Sequence, residues 1–197
     1  ECDLDLWENA MNGLVNMETL APASPPGARL PTLLSVVVPV FNEEGVVQHF
    51  HTSMSKILDE IGCPAEIVFV DDGSSDGTVR DVEALRDADP RIALLSLSRN
   101  FGKEIALTAG IDHARGEVIV VIDVDLQDPP ELIKAFIAQW QAGNDVVYGQ
   151  RIERDGETAT KKLTAFLFYR TMRKLSRVDI PADTGDFRLM SRRAVDA

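Results

Sequence analysis

Asp123, Asp125 and Asp128 follow directly on five apolar residues in VIVVIDVDLQDPP (118–130). A buried strand gains nothing from three carboxylates at its tip, and charges this close repel unless something compensates them. Asp123 and Asp125 are two apart, so in a continuing strand their side chains share one side. Two carboxylates on one side suit a hard divalent cation, Mg²⁺ or Mn²⁺, which bridges to phosphate oxygens. Gln127, two further on, offers a neutral oxygen. Asp128, just ahead of Pro129, reads as the cap of a following helix.

Four other stretches carry candidate chemistry. In VDDGSSDGT (70–78), Asp71 and Asp72 end an apolar run, Gly73 and Gly77 permit a tight turn, and Asp76 or Thr78 is placed to cap the next helix. One of the two strand-end carboxylates is suited to accept hydrogen bonds from a uracil or a ribose. The G-x-x-x-G spacing is not the dinucleotide fingerprint, and no Gly-Lys-Ser/Thr phosphate cradle follows, which argues against an ATPase. In SRNFGKEIAL (98–107), Arg99 and Lys103 flank a glycine where a helix should begin, a setting suited to a diphosphate. KKLTAFLFYRTMRKLSRV (161–178) holds six basic residues and no acidic one. Leu163, Phe166, Leu167, Tyr169, Met172 and Leu175 recur there at near-helical spacing. This is the pattern of a basic amphipathic helix for an anionic membrane surface, although a core helix with a basic outer face would share it. In PADTGDFRLMSRR (181–193), Asp183 and Asp186 flank Gly185 ahead of a short strand. His49, His51 and His113 lack metal-ligand spacing and read as structural or surface residues.

These residues sit at the ends of alternating elements. Strands are expected at 33–40, 65–71, 91–98, 117–123 and 145–150. Helical patterns lie between them, the first placing Val46, Val47, Phe50, Met54, Ile57, Leu58 and Ile61 on one face. The strands are continuous apolar runs rather than alternating ones, as a parallel sheet covered on both faces requires. The expected fold is therefore α/β, Rossmann-like, with a mostly parallel sheet and helices on both faces. Ligands of such sheets bind beyond the carboxyl ends of the strands, where the polar residues here gather.

The chain has 197 residues, 45% of them apolar, enough for one domain with a core. Residues 1–31 read as a tail and Pro-rich linker, with a weak helix pattern near 6–15, and 32–197 as the catalytic domain. A net charge of -12 excludes a general nucleic-acid binder, which needs a basic face. Two cysteines, Cys2 and Cys63, make neither a disulfide framework nor a metal pair and fit reduced thiols in a cytosolic protein. No apolar run approaches the ~18 residues of a membrane span. The acidic N-terminus lacks the apolar segment of a signal peptide. The first residue is Glu1 rather than Met, so a fragment of a longer protein is expected.

Taken together, VVVPVFNEE, VDDGSSDGT, LSRNFGKEIALTAG, VIDVDLQDPPEL and TGDFRLMSRR resemble the family 2 glycosyltransferases of GT-A fold, in particular the polyprenyl-phosphate branch. The resemblance runs from about Leu33 to the C-terminus. It implies that Pro39, Asn42, Glu43 and Asp72 contact the nucleotide. It implies that Asp123, Val124 and Asp125 form a D-x-D metal site with Gln127 as a further ligand, and that Arg151 and the GDFR segment lie near the sugar and acceptor phosphate. Members usually continue into interfacial and transmembrane helices, so those are expected to be missing here. The signatures of processive polysaccharide synthases are absent.

The reading that follows is metal-dependent, inverting transfer of a hexose, glucose, from a UDP-sugar to a polyprenyl phosphate. It would take place at the cytoplasmic face of a membrane, with this chain by itself soluble. Lys103 and the D-x-D residues would serve the donor. Arg151 and Arg188 would position the acceptor, and Asp186 or Asp183 would orient or deprotonate it. The rival readings are transfer to a soluble or protein-bound sugar, and a nucleotide-sugar-binding module without turnover.

Overall fold

The computed structural model of the chain describes residues 29–150 and 184–197. Five strands and four helices alternate in order: β1 (Leu34–Val40), α1 (Val46–Ile61), β2 (Ala65–Asp71), α2 (Thr78–Ala88), β3 (Ile92–Ser96), α3 (Lys103–His113), β4 (Val118–Val121), α4 (Leu132–Gln141) and β5 (Val146–Gln150). A sixth strand, β6 (Thr184–Ser191), and a short helix, α5 (Arg192–Val195), complete the described residues. By compactness the chain divides into two units, residues 1–20 with 149–185, and residues 21–148 with 186–197. The site described below lies wholly in the second.

The six strands form one sheet in the order β3-β2-β1-β4-β6-β5. β1 pairs in parallel with β2 and β4, and β2 with β3. β6 is antiparallel to β4, with Val118 opposite Ser191 and Val121 opposite Arg188. The sheet is thus mostly parallel, with one antiparallel insertion that the pattern of elements did not announce.

The core is split by the sheet, because successive strand side chains point to opposite faces. On one face Val36, Val38, Ile67, Phe69, Val118 and Val120 pack with Val47, Phe50 and Met54 of α1, Val82 of α2, and Ile133, Phe136 and Ile137 of α4. On the other, Val37, Val68, Val70, Ile119 and Val121 pack with Ala106 and Leu107 of α3. Helices therefore cover both faces. The apolar face expected for α1 is the buried one, and that helix ends at Gly62, whose left-handed φ of 75° lets its N–H return to the Leu58 carbonyl.

Three local expectations are corrected. β4 stops at Val121, and Val124 and Asp125 lie in a turn followed by Leu126 at φ 55°, so the pleat does not set the directions of Asp123 and Asp125. α4 begins at Leu132, with Glu131 rather than Asp128 at its N-cap position. A residue before proline is disfavoured in helical conformation, so Pro129 cannot start a helix ahead of Pro130. The Pro129 and Pro130 carbonyls instead accept the N–H groups of Leu132 and Ile133 in a tight turn. α2 is preceded by Gly77 at its N-cap. Asp76 sits one residue outside and accepts both the N–H and the hydroxyl of Thr78.

Candidate active site

A cavity of about 290 Å³ opens at the carboxyl ends of β1, β2 and β4. Four loops wall it. The loop after β1 contributes Phe41 and Glu43, joined by Pro39 and Val40 from the strand itself. The loop after β2 contributes Asp72. Asn100, Gly102 and Lys103 come from the β3–α3 junction, and Asp123, Val124 and Asp125 follow β4. The strands must end together for this to happen, and the parallel register aligns them: Val40 lies opposite Asp71.

Asp72 is buried, and its carboxylate ties two of these loops. Its oxygens accept the backbone N–H groups of Phe101 (2.7 Å) and Gly102 (2.9 Å), so the start of α3 is capped from a different loop. A carboxylate oxygen has capacity for a further bond, which leaves Asp72 able to meet a ligand as well. Asp71 turns inward, accepts the Ser74 N–H at 3.0 Å and does not line the cavity. Gly73, at φ +74°, passes against the Arg99 backbone, where a Cβ would come within 2.5 Å of the Arg99 carbonyl carbon. The Asp-Asp-Gly order thus sets one buried carboxylate and one close loop crossing.

Asn42 is turned away from the cavity. Its side-chain oxygen accepts the Ser75 N–H at 2.9 Å, and its own N–H donates to the Ser74 hydroxyl. Glu43 faces the cavity while its N–H donates to the buried Thr78 hydroxyl at 2.7 Å. Burial, followed by the nearby carboxylates of Asp125, Asp76 and Asp123, pushes the Glu43 carboxyl above its ordinary range. That wall is short of positive charge.

Lys103, the first residue of α3, supplies what positive charge there is. Its Nζ lies 2.7 and 2.8 Å from the two carboxylate oxygens of Asp123 and 2.6 Å from Asp186 Oδ2. Burial works against its charge, but the hydrogen bonds to Asp123 and Asp186 outweigh that and hold the ammonium above its ordinary pKa. The neighbouring strands bring the two near. β4 pairs with β6 up to Val121 opposite Arg188, Asp123 follows two residues past that end, and Asp186 lies two residues before Arg188. Asp186 is therefore inside β6 rather than ahead of a strand. Arg188, two residues on, has a buried Nε with no hydrogen-bond partner among the described residues.

The remaining sequence candidates fall outside the cavity or outside the described residues. Gln127 is exposed, and its N–H donates to Asp125 Oδ1 at 3.1 Å. Arg99 lays its guanidinium over the Phe101 ring, 4.2 Å from the centroid, and does not line the cavity. Arg151, Asp183 and the basic stretch 161–178 lie outside the described residues. Phe41, Asn100 and Ala106 line the cavity and were not singled out in the sequence. Phe41 had a signal, as a large apolar side chain after a strand end, and it is 43% exposed.

The donor set fits a hard divalent cation. Asp123 and Asp125 offer oxygens on one wall, and Asp123 already holds a cationic group on both of its oxygens. No three His, Cys, Asp or Glu side chains among the described residues are grouped to cage an ion alone. Mg²⁺ and Mn²⁺ need no such cage, since they are commonly held by one or two carboxylates together with substrate phosphates and water. A larger cavity, about 510 Å³, lies at the opposite ends of the strands between Arg29, Glu117, Trp140, Asp145 and Arg193. Its charges pair with one another, Arg29 with Glu117 and Arg193 with Asp145, so it lacks the unbalanced carboxylates of the first.

Residues 35–197 match the family model described as Glycosyl transferase family 2. The chain belongs to glycosyl transferase family 2. Among this family's members it is 50% identical over 165 residues to an uncharacterized glycosyltransferase of Bacillus subtilis strain 168, covering 82% of this chain and 50% of that one. It is 47% identical over 163 residues to a prophage bactoprenol glucosyl transferase homolog of Escherichia coli K12, covering 83% and 53%. The family 2 chain thus spans about half the length of the curated relatives it matches. Among solved structures it resembles a mannosyltransferase from Pyrobaculum calidifontis in complex with GDP-Man and Mn²⁺, with a TM-score of 0.58, 22% identity, and coverage of 96% of this chain and 52% of that one. It also resembles glucosyl-3-phosphoglycerate synthase from Mycobacterium tuberculosis with Mn²⁺, UDP and phosphoglyceric acid, with a TM-score of 0.58, 24% identity, and coverage of 82% and 56%. These likenesses show the fold, which is GT-A.

Proposed function

We propose that this chain is the donor-binding and catalytic part of an inverting hexosyltransferase that moves glucose from UDP-glucose to a polyprenyl phosphate at a membrane surface. The observation that carries the reading is the carboxylate-walled cavity at the carboxyl edge of the sheet, with Asp123, Asp125, Glu43 and Asp72 around the Lys103 ammonium. Bactoprenol glucosyl transferases among the relatives support the sugar and the acceptor. Mn²⁺ beside nucleotide or nucleotide sugar in the neighbouring structures supports a divalent cofactor, and Asp123 and Asp125 are the cavity carboxylates that would hold it.

In this reading Pro39, Glu43, Asp72 and Val124 form the nucleotide side of the site, Asn42 braces that wall from behind through Ser74 and Ser75, and Lys103 faces the diphosphate. A bound divalent ion supplies charge neutralisation for the departing nucleoside diphosphate. An acceptor phosphate oxygen bonds to the anomeric carbon as the bond from that carbon to the donor phosphate oxygen breaks, with inversion. The acceptor is a phosphate, largely ionised near neutral pH, so positioning matters more than deprotonation. Arg188 and Arg151 hold that phosphate, and Asp186 or Asp183 orients it.

Asp125→Asn tests the reading because it keeps the side chain's shape and removes one ligand charge. UDP should bind wild type more tightly with Mn²⁺ than without. The variant should lose that difference while its far-UV circular dichroism is unchanged. Equal metal-dependent affinity in both proteins would end the D-x-D assignment. A thermal-shift panel of UDP- and GDP-sugars reads the nucleotide, since a ligand at a hundred times its dissociation constant stabilises by about 2.7 kcal/mol.

A further inference from the structure

Asp123, just past the end of β4, and Asp186, in the neighbouring β6, both reach the same ammonium, and two like charges brought this close repel unless something compensates them. Lys103 resolves this conflict, with one Nζ bonded to both carboxylates. The three side chains are each more than a third exposed, so the lysine is not locked in place by burial. It reaches the pair from the first residue of α3, where a four-carbon stem allows the ammonium to swing. The carboxylate it holds with two contacts is one of the two that suit a divalent cation. An ammonium and a divalent cation on the same carboxylate repel each other, so each weakens the other's hold on those oxygens.

We propose that Lys103 is the resident counter-cation of this site, holding Asp123 to Asp186 until a divalent cation takes Asp123, then staying with Asp186 and turning its freed N–H toward the donor diphosphate. This rests on the metal-binding reading above and adds a role for one residue in it. The ammonium keeps its proton throughout, and only its partners change. The exchange makes the metal bind weakly by itself, because it must displace Lys103 and sit beside it. A nucleoside diphosphate offsets that repulsion by giving the ammonium a new anionic partner. Metal and nucleotide therefore bind cooperatively, coupled through Lys103, and such coupling is reciprocal.

The test is Mn²⁺ titration of the 197-residue chain, followed by the electron paramagnetic resonance signal of free Mn²⁺, with and without UDP. Lys103→Met removes the competing charge and should bind Mn²⁺ roughly tenfold more tightly than wild type in the absence of UDP, an effect in the range of ordinary site-to-site couplings. UDP should tighten Mn²⁺ binding in wild type and do so less in Lys103→Met. Lys103→Arg retains the charge and should stay close to wild type on both counts. Lys103→Gln, with the same expectation as Lys103→Met, replaces it if the methionine variant does not fold. Mn²⁺ binding to wild type with equal or weaker binding to the uncharged variant overturns the inference and leaves the metal reading standing. No Mn²⁺ binding to either protein, with or without UDP, overturns both.

Discussion

Asp186 meets Lys103 at 2.6 Å and shares that ammonium with Asp123, a position from which a carboxylate can orient an acceptor entering the cavity. In the proposed reaction it either positions the acceptor phosphate or takes a proton when that phosphate arrives as a monoanion. The two roles differ in pH dependence. A phosphate monoester loses its second proton near a pKa of about 6, so general-base help matters below that and fades above it. Asp186→Asn should keep UDP binding and lose about two orders of magnitude in transfer to polyprenyl phosphate, within the usual range for general acid–base catalysis. A defect that shrinks as pH rises assigns proton transfer, and one independent of pH assigns positioning. Near-wild-type transfer would move the role to Asp183. At this scale the residue types were legible and their partnerships were not. Aspartates at strand ends mark the site in the sequence, and Lys103 next to Gly102 marks its cation. Their convergence depends on β6 entering the sheet beside β4, a pairing between distant segments that no local spacing encodes.

The elements were legible wherever apolar periodicity ran long. The four long helices and the first five strands lie where the pattern places them, because buried strands and amphipathic helices leave different periods in the chain. Boundaries failed where local chemistry competes with the pattern, at the proline pair before α4 and at the turn that ends β4 short of Asp123. Helix α3 carries Lys103, and its seat on the sheet depends on Gly110. A Cβ there would lie 2.5 Å from Val37 Cγ1 and 2.7 Å from Val70 Cγ2, and both valines are fully buried. Valine side chains are stiff, so they cannot move aside cheaply. Overpacking costs about 1–3 kcal/mol, whereas alanine gains roughly 1 kcal/mol over glycine in a helix. Gly110→Ala should therefore be destabilised by about 1 kcal/mol, read as a lower urea midpoint at unchanged slope. It should also weaken UDP binding, because α3 would lift and carry Lys103 with it. A raised midpoint would mean that the helix–sheet contact has slack that this packing does not suggest.

For the whole molecule, the distribution of charge bears on where the proposed reaction takes place. The chain carries -12 overall, yet residues 161–178 hold six basic side chains and no acidic one. That segment lies outside the described residues, and no helix among the described residues is long and apolar enough to cross a membrane. An anionic surface would repel most of this protein and attract that one stretch, so membrane contact, if electrostatic, must be local and oriented. Each basic side chain near an anionic membrane contributes about 1 kcal/mol, and the attraction fades within a Debye length, about 10 Å at 0.1 M salt and about 3 Å at 1 M. Reversing Arg170, Arg173 and Lys174 to Glu replaces three attractions with three repulsions. Wild type should co-sediment with phosphatidylserine vesicles at low salt and be released at high salt, and the triple variant should stay in the supernatant under both conditions. Neutral vesicles should retain neither protein. If wild type ignores anionic vesicles, or stays bound at 1 M salt, the apolar stripe of Leu163, Phe166, Leu167 and Met172 is packing against protein, and the basic face is solvent-facing charge with no bearing on how the acceptor reaches the site.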